Sequence, residues 1–415
     1  MRPYFSVIPA TSMLFLVACA STPEGANSKA TGKATSAIIK GSNSDESQDS
    51  VVRLVYFNQT TGEIGSCTGT MLAPNLVLTA RHCVARTDEG AACKTDGTPV
   101  GAGKVYENRK ATDLYVFKGK DRPQFQGRPK PDGTGSAIID DGAKTLCSHD
   151  VALVVLAAPI EGIPISSIRL DAPPTVGEEF TAIGWGVTDK SQDPDVRQQR
   201  DLTVDMVGPA TEQIGISAVE FEVGEGICSG DSGGPAIAKA TGAVIGIVSR
   251  GGNGQSGGQN PAAGCIGAET RNIFSFPAGF KELIMKGFEA AEAEPWLEGG
   301  PDPRLAKGGA TCTDAAACRS NGCLAIGATK VCAPVDCKTE ACPTDYECKA
   351  TDGGKNVCEP KPPAEGSSGS SSSCAATPTT TSQAIGNRSV LASLFGLGLV
   401  TIGLRRRRAR SQERN

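Results

Sequence analysis

The stretch CSGDSGGP, residues 228–235, decides how the rest of the chain is interpreted. It places Ser232 among three glycines, Gly230, Gly233 and Gly234. Glycine tolerates tight backbone turns, so this run can aim successive peptide N–H groups inward around one hydroxyl. A lone serine in a glycine-rich loop is usually just a turn residue. Eight residues in this order are far more specific and indicate a nucleophilic serine.

Two further segments carry residue types that can assist a serine hydroxyl. In LTARHC, residues 78–83, His82 lies between an apolar run and a cysteine. In HDVALV, residues 149–154, Asp150 immediately precedes an apolar run that is typical of a strand. Serine is a poor nucleophile at neutral pH because its proton must leave as it attacks, and a positioned imidazole can take that proton. The imidazole in turn needs a carboxylate that fixes its tautomer and stabilises the imidazolium.

Only two histidines occur in the chain, which excludes a histidine-rich metal site. We expect the second one, His149, to be a neighbour on the loop and not a participant. Asp140 and Asp141 are rivals of Asp150 for the role of the carboxylate, but neither of them opens an apolar strand.

In these three segments the chain resembles the trypsin/chymotrypsin family of serine peptidases, over roughly residues 38 to 290. The order His82, Asp150, Ser232 is that of the family and differs from the orders in subtilisins and α/β-hydrolases. The resemblance implies that Ser232 is the nucleophile, His82 the general base and acid, and Asp150 the residue that orients the imidazole. It also implies an oxyanion hole formed by the N–H groups of Gly230 and Ser232.

Other landmarks agree with the resemblance. GWG, residues 184–186, is similar to a turn of the family that bears a tryptophan. The family pattern implies one disulfide flanking the histidine loop and one beside the nucleophile loop. The two cysteines left in this region would form a third, which would tie down the long insertion 84–148. The expected pairs are Cys67–Cys83, Cys228–Cys265 and Cys93–Cys147.

Activation is also suggested by a match to the family. IIKG, residues 38–41, resembles the mature N-terminus of these enzymes, and cleavage after Ala37 would free an α-amino group at Ile38. In the family that ammonium buries itself against the carboxylate beside the nucleophile, here Asp231. A buried ion pair made only after cleavage would act as a switch. The alternative is that the two isoleucines simply begin a strand.

Matched positions outline a substrate pocket. Gly226, six residues before the nucleophile, would form its floor, so the carboxylate that selects lysine or arginine is missing. Gly251 and Gly267 would line open walls, and Ser249 with Gly251 would hydrogen-bond the substrate backbone as an extra strand. An uncharged, roomy pocket predicts an apolar or aromatic residue before the scissile bond.

Charge bears on both specificity and partners. Glu225 could contradict the apolar preference if the loop is shifted, and Arg250 could favour acidic substrates. With 41 basic and 45 acidic side chains the formal charge is −4, which gives no global field for nucleic acid. We expect protein or peptide substrates, no nucleic acid, no metal, no organic cofactor, and a monomer.

The rest of the chain between its ends predicts two structural regimes. Short apolar runs separated by Gly, Pro, Asn and Asp fill residues 38 to about 290 and favour an all-β sandwich or barrel. The resemblance implies a double β-barrel. Residues 280–293 form one long helical pattern, with Pro295 as its stop.

Residues 312–358 hold eight cysteines in two similar units, each too small to fold on apolar burial alone. We expect two disulfides in each unit, although four cysteines allow three pairings and the sequence does not choose among them. A zinc module is the competing interpretation, but paired C-x2-C knuckles are absent.

The N-terminus predicts export. Residues 1–20 have the pattern of a signal peptide. LVAC, residues 16–19, resembles a bacterial lipobox, in which Cys19 would be acylated and become the mature N-terminus. The alternative is ordinary cleavage after Ala20.

The C-terminus points the same way. An apolar run at residues 390–404, too short at about 22 Å for a bilayer of about 30 Å, precedes an arginine cluster. Together with Cys374 and a Ser/Thr-rich tether it resembles the C-terminal sorting tails of myxobacterial surface proteins. The alternative is a plain membrane anchor. Either tail predicts membrane association at the bacterial cell envelope, outer membrane or cell surface, with release as a further outcome.

These observations predict an exported serine endopeptidase displayed at the cell surface. The alternative is a catalytically silent protease-fold adhesin or binding protein that acts through its cysteine-rich repeats. The expected organisation is a signal peptide at 1–20, a propeptide or linker at 21–37, the peptidase domain at 38–295, a linker at 296–311, the cysteine-rich repeats at 312–358, the tether at 359–389 and the sorting tail at 390–415.

Overall fold

A computed structural model describes residues 38–361, apart from residues 89, 125–129, 212–214, 256–259, 261, 327–328, 339–340 and 351–355. Cys19, Cys374 and the apolar run 390–404 lie outside the described residues, and the expectations attached to them stay predictions. Among the described residues, no helix has both the length and the apolar character needed to cross a membrane.

Short antiparallel strands are the main regular secondary structure of the described chain. The helices are α1 (Arg81–Val84) and α2 (Lys281–Ala290). The strands are β1 (Ser42–Asn43), β2 (Val51–Phe57), β3 (Ile64–Ala73), β4 (Leu76–Thr79), β5 (Ala85–Thr87), β6 (Val105–Asn108), β7 (Leu114–Phe117), β8 (Gly133–Ile139), β9 (Ala152–Leu156), β10 (Glu179–Gly184), β11 (Gln198–Thr203), β12 (Met206–Val207), β13 (Ala210–Thr211), β14 (Gly215–Ile216), β15 (Glu220–Val223), β16 (Pro235–Ala238), β17 (Val244–Gly252), β18 (Arg271–Ser275), β19 (Cys323–Ile326), β20 (Thr329–Cys332), β21 (Tyr346–Ala350) and β22 (Asn356–Pro360).

The first half of the peptidase region is a closed barrel in the order β2-β3-β4-β9-β8-β7. Its strands are rich in β-branched and leucine residues, which pack well on a pleated surface, and β9 is buried along its whole length. Helix α2, the helix expected from the sequence pattern, buries Leu283, Ile284 and Phe288 in the same core as the barrel. The barrel therefore provides a rigid base for the loops at its ends.

The resemblance implies a second barrel, but the second half is an eight-stranded antiparallel sheet, β1-β11-β10-β16-β17-β18-β15-β12. Its end strands β1 and β12 do not pair, so the ladder does not close. The sheet still curls on itself. Strand β11 pairs with β10 near one end of the strand order, and β12 pairs with β15 at the other end. Because only Val204 and Asp205 separate β11 from β12, the two ends of the sheet lie close together. Phe180, Phe221 and Phe274 fill its core, with ring centroids 5.0–5.8 Å apart.

The N-terminal segment is fastened to this sheet. Strand β1 pairs with β11, and the fully buried guanidinium of Arg197 holds the turn that follows. It donates to Ser44 Oγ at 2.7 Å, to the carbonyl oxygens of Asp45 and Val51 at 2.7 Å each, and to Asp49 at 3.1 Å. A buried cation is tolerated only when it is paired and hydrogen-bonded in this way.

The two cysteine-rich units share one pairing, in which the first cysteine bonds the third and the second bonds the fourth. All eight sulfurs lie in disulfides, so none remains as a thiolate for the zinc interpretation. The bonds are Cys312–Cys323, Cys318–Cys332, Cys337–Cys348 and Cys342–Cys358.

The segment before these units, expected as a linker, is packed against the peptidase region. Ile168 donates its N–H to the carbonyl of Trp296 at 2.9 Å, and the N–H of Glu298 donates to the carbonyl of Ile168 at 3.0 Å. The guanidinium of Arg169 also holds the Glu298 carboxylate. The first cysteine-rich unit is therefore attached through an ordered connection.

Candidate active site

His82 and Asp150 meet in a cleft between the barrel and the sheet. His82 lies on α1, which begins two residues after the end of β4, and Asp150 lies two residues before the start of β9, the barrel strand that pairs with β4. The pairing of these two strands brings both residues to the same end of the barrel. His82 Nδ1 lies 2.9 Å from Asp150 Oδ2 and 3.1 Å from Oδ1, and the backbone N–H of His82 donates to Oδ1 at 3.0 Å.

The Asp150 carboxylate is buried, and its contacts keep it ionised. Ser249 Oγ donates to Asp150 Oδ2 at 2.7 Å. Burial alone would raise the pKa of Asp150, but the charge of His82 and the hydrogen bonds from His82 and Ser249 outweigh it and lower the pKa. For His82, burial lowers the pKa, while the charge and hydrogen bond of Asp150 raise it more, so the imidazole becomes a better base.

Ser232 lines the same cleft as His82 and Asp150. The structure shows no hydrogen bond between the Ser232 hydroxyl and the His82 ring, two groups that both lie in the described part of the chain. Such bonds are often long before a substrate binds. Within the described residues, the N–H groups of Gly230 and Ser232 also donate to no protein acceptor, so both are available to a ligand. Gly230 has a φ of 99°, a value that favours glycine.

Asp231 is fully buried beside the nucleophile. Its carboxylate accepts the N–H of Gly186 at 2.8 Å and that of Cys228 at 2.9 Å. Burial nevertheless raises its pKa to about 7, because these two bonds only partly offset desolvation. A Cβ added to Gly184 or Gly186 would lie 2.2 Å or 2.5 Å from this carboxyl group. The two glycines of the GWG turn therefore make room for Asp231.

The rival carboxylates have other partners. Asp140 pairs with the guanidinium of Arg81 and accepts Asn108 Nδ2 at 2.7 Å. Asp141 lies 2.6 Å from His149 Nδ1. Neither of the rivals contacts His82 among the contacts of the described chain.

The structure joins the expected cysteine pairs of the peptidase region. Cys67–Cys83 anchors α1 to β3, Cys228–Cys265 anchors the nucleophile loop, and Cys93–Cys147 spans the insertion. Each bond thus restrains a loop that borders the cleft.

The segment expected to become the new N-terminus after cleavage, which starts at Ile38, lies against the nucleophile loop. Ile38 and Ile39 are fully buried, and Ile39 packs against Cys228. Glu225 holds this segment through Lys40 Nζ at 2.7 Å and accepts the N–H of Gly267 at 2.7 Å. Its carboxylate is therefore engaged outside the cleft and does not line it.

The pocket walls differ from the sequence-based expectation. Ser249 and Gly251 line the cleft as expected, whereas Gly226 and Gly267 are not among its lining residues. Gly226 faces the core instead, since an added Cβ would lie 2.6 Å from Leu202. Part of the lining was not predicted from the sequence. For Ile227 a signal was available, because neighbouring side chains along an extended segment point to opposite sides, so a residue next to Gly226 was a candidate for the cleft. The missed lining includes Ile227, Arg271, Asn272, Leu146 and residues 87–93 apart from residue 89.

Arg250 lines the cleft but is already neutralised. Its guanidinium pairs with the fully buried carboxylate of Glu220 and donates to the carbonyl of Gly215 at 3.2 Å. An attraction to acidic substrates would require that this pair be broken, at the cost of an unpaired buried charge.

Comparisons with known proteins agree with this geometry. A family model described as Trypsin matches residues 38–265, which is more than half of the chain. "Trypsin" of Saccharopolyspora erythraea is 28% identical over 236 residues, covering 54% of this chain and 87% of the relative. "Protein C activator" of Agkistrodon piscivorus leucostoma is 27% identical over 231 residues, covering 53% and 79%. "Kallikrein 1-related peptidase b24" of Mus musculus is 30% identical over 200 residues, covering 45% and 70%.

Proposed function

This chain belongs to the trypsin family of serine peptidases, and from that premise we propose that it is an exported serine endopeptidase acting through His82, Asp150 and Ser232. One observation carries the proposal: the imidazole of His82 is bonded through Nδ1 to a buried, ionised carboxylate, in the cleft that also contains Ser232. That arrangement leaves Nε2 as the basic nitrogen, which is the tautomer that a general base needs.

In the proposed reaction Ser232 Oγ attacks the carbonyl carbon of the scissile peptide, and its proton passes to His82 Nε2. The N–H groups of Gly230 and Ser232 stabilise the oxyanion that forms, and one lost donor of this kind typically costs about 3 kcal/mol. The imidazolium then gives its proton to the leaving amine. Water repeats the sequence on the acyl-enzyme, releasing the acid and restoring the hydroxyl.

The environment of Asp231 supports activation by cleavage after Ala37. Its carboxylate is buried without a cation among the residues described, and the segment at Ile38 is already packed against the same loop. A new ammonium at Ile38 would supply the missing charge and stabilise the oxyanion loop.

The free edge of β17 supports binding of the substrate as an added strand. Strand β16 pairs with β17 as far as Pro235 and Ile247, and Val248 still exchanges backbone hydrogen bonds with Gly233 and Gly234 before the chain turns away into the nucleophile loop. Among the residues that the structure describes, Ser249–Gly252 pair along one edge only, with β18, which leaves the other edge for a substrate. The lining from Ile227 and Val248 favours an apolar residue before the scissile bond.

Export is supported by the disulfides, since seven such bonds in the described residues suit an oxidising compartment. Acylation of Cys19, removal of the C-terminal tail and attachment at the cell surface remain part of the proposal. The intact mass of the mature protein reports acylation and tail removal, together with cleavage after Ala37.

Labelling with a fluorophosphonate probe tests the proposed activity. The processed chain that starts at Ile38 should be labelled and should hydrolyse a tripeptide amide with an apolar last residue. The Ser232→Ala variant should do neither. A correctly folded, processed protein that is not labelled would favour the alternative of a catalytically silent binding protein.

A further inference from the structure

The long insertion between His82 and Asp150 reaches into the cleft. Six residues in the range 87–93, together with Leu146, line the same cleft as the catalytic residues. The insertion contributes β7 and β8 to the barrel, whereas β17 belongs to the eight-stranded sheet, so the two line the cleft from different halves of the fold. The insertion is therefore placed to touch whatever binds along the edge of β17.

Several contacts make the insertion a rigid wall. Leu146 packs in a small buried cluster with Ala85 and Val105. The N–H of Leu146 donates to the carbonyl of Gly103 at 2.8 Å, and the Asp88 carboxylate accepts the N–H of Lys104 at 2.9 Å. The disulfide Cys93–Cys147 then fastens the wall three residues ahead of Asp150. An element held at so many points does not yield easily to a substrate.

The wall touches the opposite side of the cleft at Gly215, on β14. A Cβ added to Gly215 would lie 2.4 Å from the carbonyl oxygen of Cys93 and 2.7 Å from the Cα of Lys94. Only glycine permits so close an approach of two backbones. The carbonyl of Gly215 also accepts a hydrogen bond from Arg250, on β17. We call these four residues, Cys93, Lys94, Gly215 and Arg250, the cleft bridge.

The cleft bridge stands beside the edge where the acyl side of a substrate would pair. A chain added to Ser249–Gly252 must pass Arg250 and Gly215 with the insertion on its other flank. A single extended strand occupies about 4.8 Å in the direction of the sheet. A loop that is held by the body of a folded protein is wider and carries neighbouring segments with it.

We propose that the cleft bridge restricts this enzyme to extended, unfolded peptide segments and excludes segments held in a folded protein. This inference rests on the proposed peptidase activity of the same cleft. It assigns to the insertion a role in selecting the conformation of the substrate, in addition to any preference for particular side chains.

The test compares hydrolysis of a disulfide-bonded substrate protein in its native form and after reduction and alkylation. Two changes open the cleft bridge: the double variant Cys93→Ser/Cys147→Ser, and Gly215→Val, which forces the two backbones apart. Matched controls are Cys342→Ser/Cys358→Ser, in the cysteine-rich region, and Gly65→Val, where an added Cβ meets nothing within 4 Å. Rates are expressed per active site titrated with the fluorophosphonate probe, so that misfolded enzyme is not counted.

Both opened variants should raise the ratio of the native to the unfolded rate by about tenfold or more, and the controls should leave it within about twofold. The stability of the substrate affects every enzyme equally and cancels in this comparison. An unchanged ratio in an active opened variant would overturn the proposal. Tight inhibition of the wild type by a folded protein that presents a rigid loop would overturn it as well, even if neither variant folds. Failure of the wild type to label or to cleave the tripeptide amide would instead refute the peptidase activity itself.

Discussion

The buried carboxylate of Asp231 should make the stability of the unprocessed chain depend on pH. Burial raises its pKa from 3.8 to about 7. The folded state therefore retains a proton that the unfolded state releases. The contribution of Asp231 to the free energy of unfolding is fully present below about pH 3.8 and is lost as the pH rises through about 7. At about 1.4 kcal/mol for each pH unit, the loss amounts to about 4 kcal/mol.

Urea unfolding of the Ser232→Ala precursor, which cannot cleave itself, should show about 3 kcal/mol of this loss between about pH 5 and pH 8, because only the two pH units below the raised pKa fall in that range. The companion variant Asp231→Asn has no carboxyl group to titrate, so its free energy of unfolding should fall much less over the same range. His82 and His149 titrate nearby, and their raised pKa values give losses of the same sign. Both proteins contain these histidines, so their contribution cancels.

Equal pH slopes in the two proteins would refute the reasoning, because the slope would then come from other groups. A protein processed to start at Ile38 gives a further check. Its ammonium would offset the charge of Asp231, so its stability above about pH 7 should exceed that of the precursor.

Three substitutions test other parts of the site. Asp150→Asn should shift the acid limb of the kcat/KM profile to lower pH, because His82 loses the charge that raises its pKa, and kcat should fall by roughly three to four orders of magnitude; an unmoved limb would count against this. Arg250→Met should reduce the free energy of unfolding in urea by about 3–5 kcal/mol, because it strands the buried Glu220 carboxylate, and adding Glu220→Gln should recover most of the loss. Glu225→Gln should leave the preference for the residue before the scissile bond unchanged in a peptide panel, because this carboxylate faces away from the cleft; a lost preference for basic residues would contradict that.

The surroundings of the nucleophile are the part of the site most accessible to prediction. Several of its glycines are required by contacts that no other residue permits. A Cβ on Gly233 would lie 2.1 Å from Thr79 Oγ1, and Gly184 and Gly186 leave space for the Asp231 carboxyl group. Such constraints appear in the sequence as short, dense motifs. The helix near residue 281 and the barrel strands were likewise accessible, because apolar periodicity is a local property.

The walls of the cleft were less accessible, because they depend on contacts between segments far apart in the chain. No local pattern announces that Gly215 approaches Cys93. Gly226 was predicted to form the pocket floor, but in the structure the side on which a Cβ would stand faces Leu202. The spacing of residues in the sequence also could not show that β1 pairs with the edge of β11, or that the chain continues from β11 through a short bend into β12.

The cysteine-rich units show the same limit. Within one hairpin Cys323 lies opposite Cys332, yet each bonds an earlier cysteine and not its cross-strand neighbour. Composition therefore predicts that such a unit is cross-linked, whereas the pairing depends on how the preceding turn folds back.

The pairing of β1 with β11 limits how far a newly cut end could travel. Ser42 is held opposite Gln199, and only the few residues from Ile38 onward precede it. Four residues span at most about 14 Å even when fully extended. A terminus produced by cleavage after Ala37 would thus stay within about 14 Å of Ser42, and the entropy lost on docking would be small.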